Sequence, residues 1–157
     1  MAMAMTATNH GLFGAVIAIS LQKYPAIAIV VAILSHFLLD AIPHYGGLKG
    51  EELKTKKFFR NLSIDAVLAV ITTLVIAWAW PEAALLIVVC AFLAASPDLL
   101  WAYYQYAGVK YMNVHLLPRF HTWVQWSEHK TGVFVYTDVI WFLIFFPTIV
   151  LIGTNSV

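Results

Sequence analysis

The chain has 157 residues, of which 62% are hydrophobic and 11% are charged, and its mean hydropathy is +0.82. Because a soluble domain carries roughly a quarter charged residues, this composition excludes an ordinary soluble globule. The formal net charge of +1 gives no basic field of the kind that attracts nucleic acid, so no nucleic-acid partner is expected. A single cysteine, Cys90, excludes an intramolecular disulfide and a cysteine-rich zinc site.

Apolar stretches recur along the whole chain, and several approach the roughly 20 residues that a helix needs to cross a bilayer. The sequence predicts an all-α, polytopic membrane helical bundle of about five helices in one domain, with one further amphipathic helix at the interface. The five helices are expected at residues 11–22, 25–42, 61–80, 82–106 and 132–152. Residues 11–22 are few for a complete crossing. The interfacial helix is expected within residues 111–129, where aromatic side chains stand among polar ones.

Basic residues are divided unevenly between the two sets of connections. Eight of the nine Lys and Arg residues fall in the second and fourth connections, and only Lys23 falls on the opposite side. The positive-inside rule then predicts a multi-pass membrane protein with its N-terminus in the cytoplasm. Membrane lipids are the expected partners, and the sequence leaves open whether the chain forms a homo-oligomer.

Histidine and aspartate residues concentrate at helix ends that this topology places on the cytoplasmic side. Such groups are costly within a membrane unless they are paired, hydrated or bound to a metal. His36 and Asp40 are four residues apart, and His44 follows at the same interval, so a continuous helix would align all three. The expected metal ligands are His10, His36, Asp40, His44 and Asp98, and the expected catalytic acid–base groups are Asp65 and His121.

A mixed histidine and aspartate set favours zinc, with manganese or iron as alternatives, over calcium. A divalent metal in such a site lowers the pKa of a bound water molecule towards neutrality, which supplies a nucleophile without Ser or Cys. The sequence therefore predicts a metal-dependent hydrolase that acts on a lipid or another membrane-proximal ester or phosphoester at the cytoplasmic interface.

Other interpretations of the same residues stay open. A metal-ion or proton transporter also uses intramembrane acids and histidines, but it requires a file of polar groups across the bilayer. A haem-binding protein requires paired axial histidines, for which His10 with His36 or His44 is the available choice. In a purely structural protein, His36 and Asp40 would hold two helices together and Asp65 would cap the helix at 61–80.

Several short motifs resemble those of a known group. They are Asn9-His10-Gly11, the run from Ser35 through His36 and Asp40 to Pro43-His44, Ala95-Ser96-Pro97-Asp98, and Phe120-His121. Together they resemble small prokaryotic integral-membrane proteins related to the inner-membrane metal-dependent hydrolase family. The His-x-x-x-Asp element alone is more loosely similar to the zinc-dependent phospholipase C and nuclease P1 group. The resemblance implies a helical fold with a His/Asp metal site in a prokaryotic plasma (inner) membrane, and it implies no particular substrate.

Overall fold

A computed structural model describes residues 6–42, 55–107, 116–124 and 136–154 of the chain. Within these ranges the chain forms six α-helices and one short 3₁₀ helix, and no strand. The helices are α1 (Ala7–Ser20), α2 (Pro25–Ala41), α3 (Lys56–Ala79), α4 (Ala84–Ala107), α5 (Leu116–Val124) and α6 (Tyr136–Thr154). The 3₁₀ helix Pro81–Ala83 leads directly into α4. The predicted all-α class is confirmed, and α5 lies within the segment predicted to be the interfacial helix.

The ends of the first two helices follow from local chemistry. Thr6 caps α1, since its side chain accepts a hydrogen bond from the Asn9 amide at 3.3 Å, so α1 begins earlier than the predicted residue 11. Pro25 occupies the first position of α2, where its missing N–H costs nothing. The helix ends at Ala41 because Pro43 drives the preceding residue, Ile42, into an extended conformation.

Helix α1 lies at the centre of the bundle, where it packs against α2, α3, α4 and α6. Ten of its 14 residues are buried. At about 1.5 Å per residue it is roughly 21 Å long, which is shorter than a ~30 Å hydrocarbon core. The short first segment of the sequence is therefore the helix that the others surround.

Close contact between α1 and α4 depends on a glycine. A Cβ atom at Gly14 would lie 2.6 Å from the carbonyl oxygen of Cys90, which is a backbone atom of α4. Small side chains also line α1 and α2, where Ala15, Ala18 and Ala28 are fully buried. Small residues of this kind allow helix backbones to approach closely, as they do in membrane bundles. This contact fixes how near His10, one turn before Gly14, comes to α4.

Two helical segments are long and apolar enough to cross a membrane. They are Phe59–Ala79 and Pro81–Leu100, with mean hydropathies of 2.1 and 2.2. In an apolar 18-residue stretch of each segment, only 17% and 28% is buried, so most of the apolar surface faces outward. On α3 the exposed side chains are Ile64, Val67, Leu68, Val70, Ile71, Leu74, Val75 and Trp78. The core helix of a soluble protein would hide most of such a surface.

Candidate metal centre

Four helices bring their histidine and aspartate residues to one end of the bundle. His10 lies in the first turn of α1, and His36 and Asp40 lie in the last two turns of α2. The connection between α1 and α2 is short, which makes them antiparallel and places these ends side by side. Asp98 comes from the second half of α4, and His121 comes from α5. The cluster of histidine and aspartate side chains is thus formed by helix packing rather than by one local motif.

The metal quartet consists of His36, Asp40, Asp98 and His121, whose potential ligand atoms all lie within 4.8 Å of one another. The Nε2 atoms of His36 and His121 are 3.1 Å apart. Oδ2 of Asp40 lies 3.1 Å from Nε2 of His36 and 2.8 Å from Nε2 of His121. Oδ1 of Asp98 lies 3.7 Å and 3.8 Å from the same two nitrogens.

These separations match those between the ligands of a tetrahedral metal. With zinc–nitrogen and zinc–oxygen bonds of about 2.0–2.2 Å, the edges of the coordination tetrahedron are about 3.3–3.6 Å long. The five distances in the quartet range from 2.8 to 3.8 Å, on either side of those values. Five of the six pairs of ligand atoms are therefore near tetrahedral separations, and all four atoms lie within 4.8 Å of one another.

The orientation of His36 is fixed by a backbone carbonyl of α4. Its Nδ1 lies 2.8 Å from the oxygen of Ala94, which only accepts hydrogen bonds, so Nδ1 carries the proton and donates it. In the neutral ring Nε2 then has a free lone pair, and that lone pair faces the quartet. A hydrogen bond from the far ring nitrogen to a carbonyl is the usual support of a metal-binding histidine.

The same stretch of α4 contains Pro97, which has no amide hydrogen to donate to the carbonyl of Leu93 four residues earlier. The hydroxyl group of Ser96 donates to that carbonyl at 2.9 Å instead. The helix thus continues through the proline, and it carries Asp98 into the site.

The donor set needs either protons or a cation between its atoms. The lone pair of His36 Nε2 points at a carboxylate oxygen of Asp40 and at the ring nitrogen of His121, within 3.1 Å of each. Three electron-rich atoms this close repel one another unless a cation or additional protons lie between them. Both His36 and Asp40 are completely buried, so bulk water does not screen the repulsion. A divalent cation satisfies all these atoms at once.

His10 lies against the quartet and shares both of its carboxylates. Its Nε2 lies 3.3 Å from Oδ1 of Asp40 and 3.7 Å from Oδ2 of Asp98. The ring is fully buried, and neither of its nitrogens makes a hydrogen bond with any residue that the structure describes. A buried polar group without a partner is rare and points to a missing ligand or ion.

Aromatic packing closes the site on the side of α5. The ring of Phe37 meets the rings of His36 and His121 edge to face, with centroid distances of 5.3 Å and 5.9 Å. The three histidine side chains are at most 1% exposed, whereas Asp98 is 18% exposed. Solvent therefore reaches the centre along the Asp98 side.

Asp65 occupies a different position, at the N-terminus of α1. Its carboxylate accepts hydrogen bonds from the amides of Ala7 and Thr8, at 2.7 Å and 3.2 Å, and from the Thr8 hydroxyl at 2.6 Å. A carboxylate at this place satisfies amides that have no partner within the helix and interacts favourably with the helix dipole. The structure thus uses Asp65 to anchor α1 to α3, rather than to cap its own helix.

Five of the seven predicted site residues meet at the centre: His10, His36, Asp40, Asp98 and His121. The histidine expected to act as an acid–base group, His121, lies among the candidate ligands. Asp65 lies with Ala7 and Thr8 instead, and His44 is outside the described residues. Sequence reasoning missed the carbonyl of Ala94, because the position of a backbone group carries no residue signature. The nearby Pro97 does not signal it, because a proline frees the carbonyl four residues earlier, which is that of Leu93 and is taken by Ser96.

No protein-family model matches the chain, and no curated protein or solved structure shows significant similarity to it.

Proposed function

We propose that this chain is a multi-pass membrane protein that binds a divalent metal and hydrolyses a membrane-proximal ester or phosphoester. The observation that carries the proposal is the metal quartet, in which two histidines and two aspartates from three helices surround one point. Zinc is the first candidate, because the quartet combines nitrogen and carboxylate donors at tetrahedral distances. Manganese and iron accept the same donors.

The outward-facing apolar surface supports the membrane assignment. Large apolar side chains on α2, α3, α4 and α6 are exposed, while His10, His36, Asp40 and His121 are buried. In water this distribution would be unfavourable, whereas lipid solvates it. The distribution of basic residues supports a metal centre at the cytoplasmic face, and the motif resemblance supports a prokaryotic plasma membrane. Recovery in the membrane pellet after alkaline carbonate extraction is the expected result, and release into the supernatant would contradict the assignment.

Hydrolysis is favoured over transport by the location of the ionisable groups. In the candidate spans Phe59–Ala79 and Pro81–Leu100, the charged residues are Arg60, Asp65, Glu82 and Asp98, and none of these lies in the middle of a span. A transport path would need polar groups along the full depth of the membrane. A cation held by three of the four residues, or by all four with water as a fifth ligand, would supply a water nucleophile that ionises near neutral pH, and Asp98 gives the site an exposed side.

The decisive experiment measures zinc content and hydrolysis in the same detergent-purified samples. The substrates are bis(p-nitrophenyl) phosphate and vesicles of anionic phospholipid, and the variant is His121→Ala. Trp123→Ala is the matched control, because Trp123 lies on the same short helix with its side chain largely exposed. We expect the wild type and the control to bind zinc and hydrolyse at least one substrate, and His121→Ala to lose both properties.

Two outcomes would contradict different parts of the proposal. Full zinc content in His121→Ala would eliminate the quartet as the binding site. Stoichiometric zinc in a wild type that hydrolyses neither substrate would leave a metal-binding membrane protein and remove the hydrolase assignment.

A further inference from the structure

The two aspartates at the centre each direct their two oxygens to different histidines. Oδ2 of Asp40 faces His36 and His121, whereas its Oδ1 faces His10 at 3.3 Å. Asp98 repeats the pattern, since its Oδ1 faces His36 and His121 and its Oδ2 faces His10 at 3.7 Å. Each carboxylate therefore lies between the pair His36–His121 on one side and His10 on the other.

The rings of His10 and His36 exclude a single shared ion. They are stacked, with centroids 4.2 Å apart and planes 26° from parallel. A metal bonds to imidazole along the nitrogen lone pair, which lies in the plane of the ring. An ion in the plane of His36 is therefore well outside the plane of His10. The separation of the rings is close to the 3.5–4 Å that separates the ions of two-metal sites.

We propose that His10 holds a second divalent cation, which shares Asp40 and Asp98 as bridging ligands with the cation of the quartet. This inference rests on the proposed metal site and extends it from one ion to two. Both nitrogens of His10 are buried without a hydrogen bond to a described residue, and Nε2 faces Oδ1 of Asp40 and Oδ2 of Asp98. A second cation supplies the partner that this nitrogen lacks.

The charge of the two aspartates balances one divalent cation, so a second cation needs anionic ligands from solvent, such as hydroxide. Two aspartates contribute two negative charges, and three neutral imidazoles contribute lone pairs. The remaining positive charge of two divalent ions is balanced by ligands from solvent, and Asp98 is the side of the site that solvent reaches. A bridging carboxylate uses both of its oxygens. The two oxygens of Asp40, and likewise those of Asp98, do face different histidines, with His10 on one side and the pair His36–His121 on the other.

The test is the number of metal ions bound per chain after chelation and reconstitution with Zn²⁺ alone, measured by mass spectrometry on detergent-purified protein. We expect two ions in the wild type, one in His10→Ala, and fewer than one in His36→Ala. His10→Gln provides a second variant of similar size, and thermal unfolding of each sample verifies that it is folded. Asn9→Ala is the control, because Asn9 is equally buried on α1 and bonds to the Asp138 carbonyl rather than to the centre.

Reconstitution with Mn²⁺ gives an independent measure of spacing. We expect the electron paramagnetic resonance spectrum of an exchange-coupled pair from the wild type and that of an isolated ion from His10→Ala. One ion per chain in the wild type, lost in His36→Ala, would overturn the second cation and leave the quartet intact. If His10→Ala and Asn9→Ala lost the same number of bound ions, the second cation would also be overturned, because the loss would then reflect displacement of α1. A wild type that binds no ion would refute the proposed metal site as well.

Discussion

Asp40 is the residue on which the metal centre depends most. Its carboxylate lies within 3.3 Å of three histidines, and it is completely buried. Asp98 approaches the same histidines only to 3.7–3.8 Å and is 18% exposed. A carboxylate that is more deeply buried and lies closer to the other ligands contributes more to holding a cation, because solvent does not compete with it.

We therefore expect Asp40→Asn to weaken zinc binding more than Asp98→Asn does. The first change should lower zinc affinity at least about 100-fold, and the second should lower it by roughly 10-fold, within the range over which ligand-shell changes alter metal sites. Competition with a chromophoric chelator measures both values. Equal losses, or a larger loss in Asp98→Asn, would contradict the ranking.

At the scale of the helices, the contact between α1 and α4 controls whether the ligands meet. A Cβ atom at Gly14 would lie within 3 Å of three backbone atoms of α4, whereas at Gly11 the nearest atom is 3.7 Å away. The two glycines lie one turn apart on the same helix, so they form a matched pair. Only Gly14 is required by the packing.

Gly14→Ala is expected to lower stability, because overpacking costs about 1–3 kcal/mol and exceeds the gain of roughly 1 kcal/mol from replacing a helical glycine. Gly11→Ala is expected to be neutral or stabilising, because alanine favours the helix more than glycine does and its Cβ atom would meet no atom closer than 3.7 Å. Thermal unfolding in detergent gives the comparison. Equal midpoints for the two variants would show that α1 and α4 are not held as closely as described.

The hydrogen bonds between the Asp65 carboxylate and the start of α1 are a second contact that positions this helix. It ties the first turn of α1, which carries His10, to α3 through three hydrogen bonds. Because Asp65 contacts Ala7 and Thr8 rather than the quartet, its role is to position a helix.

Asp65→Asn keeps the shape but removes the charge and one acceptor oxygen. We expect the free energy of unfolding to fall by about 1 kcal/mol, the usual value of a helix cap, while zinc content stays unchanged. Chemical unfolding and metal analysis of the same preparation test this. Unchanged stability together with abolished hydrolysis would instead support the acid–base role expected from the sequence.

At the scale of the whole molecule, the metal centre joins helices that are distant in the sequence. The proposed ligands come from α1, α2, α4 and α5, so a bound cation would link these helices at one end of the bundle. A ligand that binds only the folded state stabilises it in proportion to the logarithm of its concentration. Removal of the metal should therefore loosen the entire fold.

Free zinc at 100 times its dissociation constant is expected to stabilise the wild type by about 2.7 kcal/mol relative to the chelated protein. His36→Ala should show no such increase, because it removes the ligand that is oriented by Ala94. Unfolding midpoints with and without zinc measure the difference. A similar increase in His36→Ala would indicate that zinc binds elsewhere.

Composition and hydropathy were sufficient to predict the helical class and the positions of most helices. The reason is that long apolar segments must satisfy their backbone hydrogen bonds internally, which leaves few alternatives to a helix. The i, i+4 spacing of His36 and Asp40 also fixed their common face as soon as α2 was helical. The recurrence of histidine and aspartate near predicted helix ends was enough to nominate the ligands.

Only the tertiary structure decided which nominated residues meet. Asp65 and Asp98 are both acids on apolar helices, yet one anchors α1 and the other reaches the histidines. Their positions differ because the rotation of each helix about its axis, and the close approach of α1 and α4 at Gly14, depend on packing among all the helices. No local sequence pattern encodes that packing. The division of each carboxylate between His10 and the pair His36–His121 likewise exists only once the four helices are assembled.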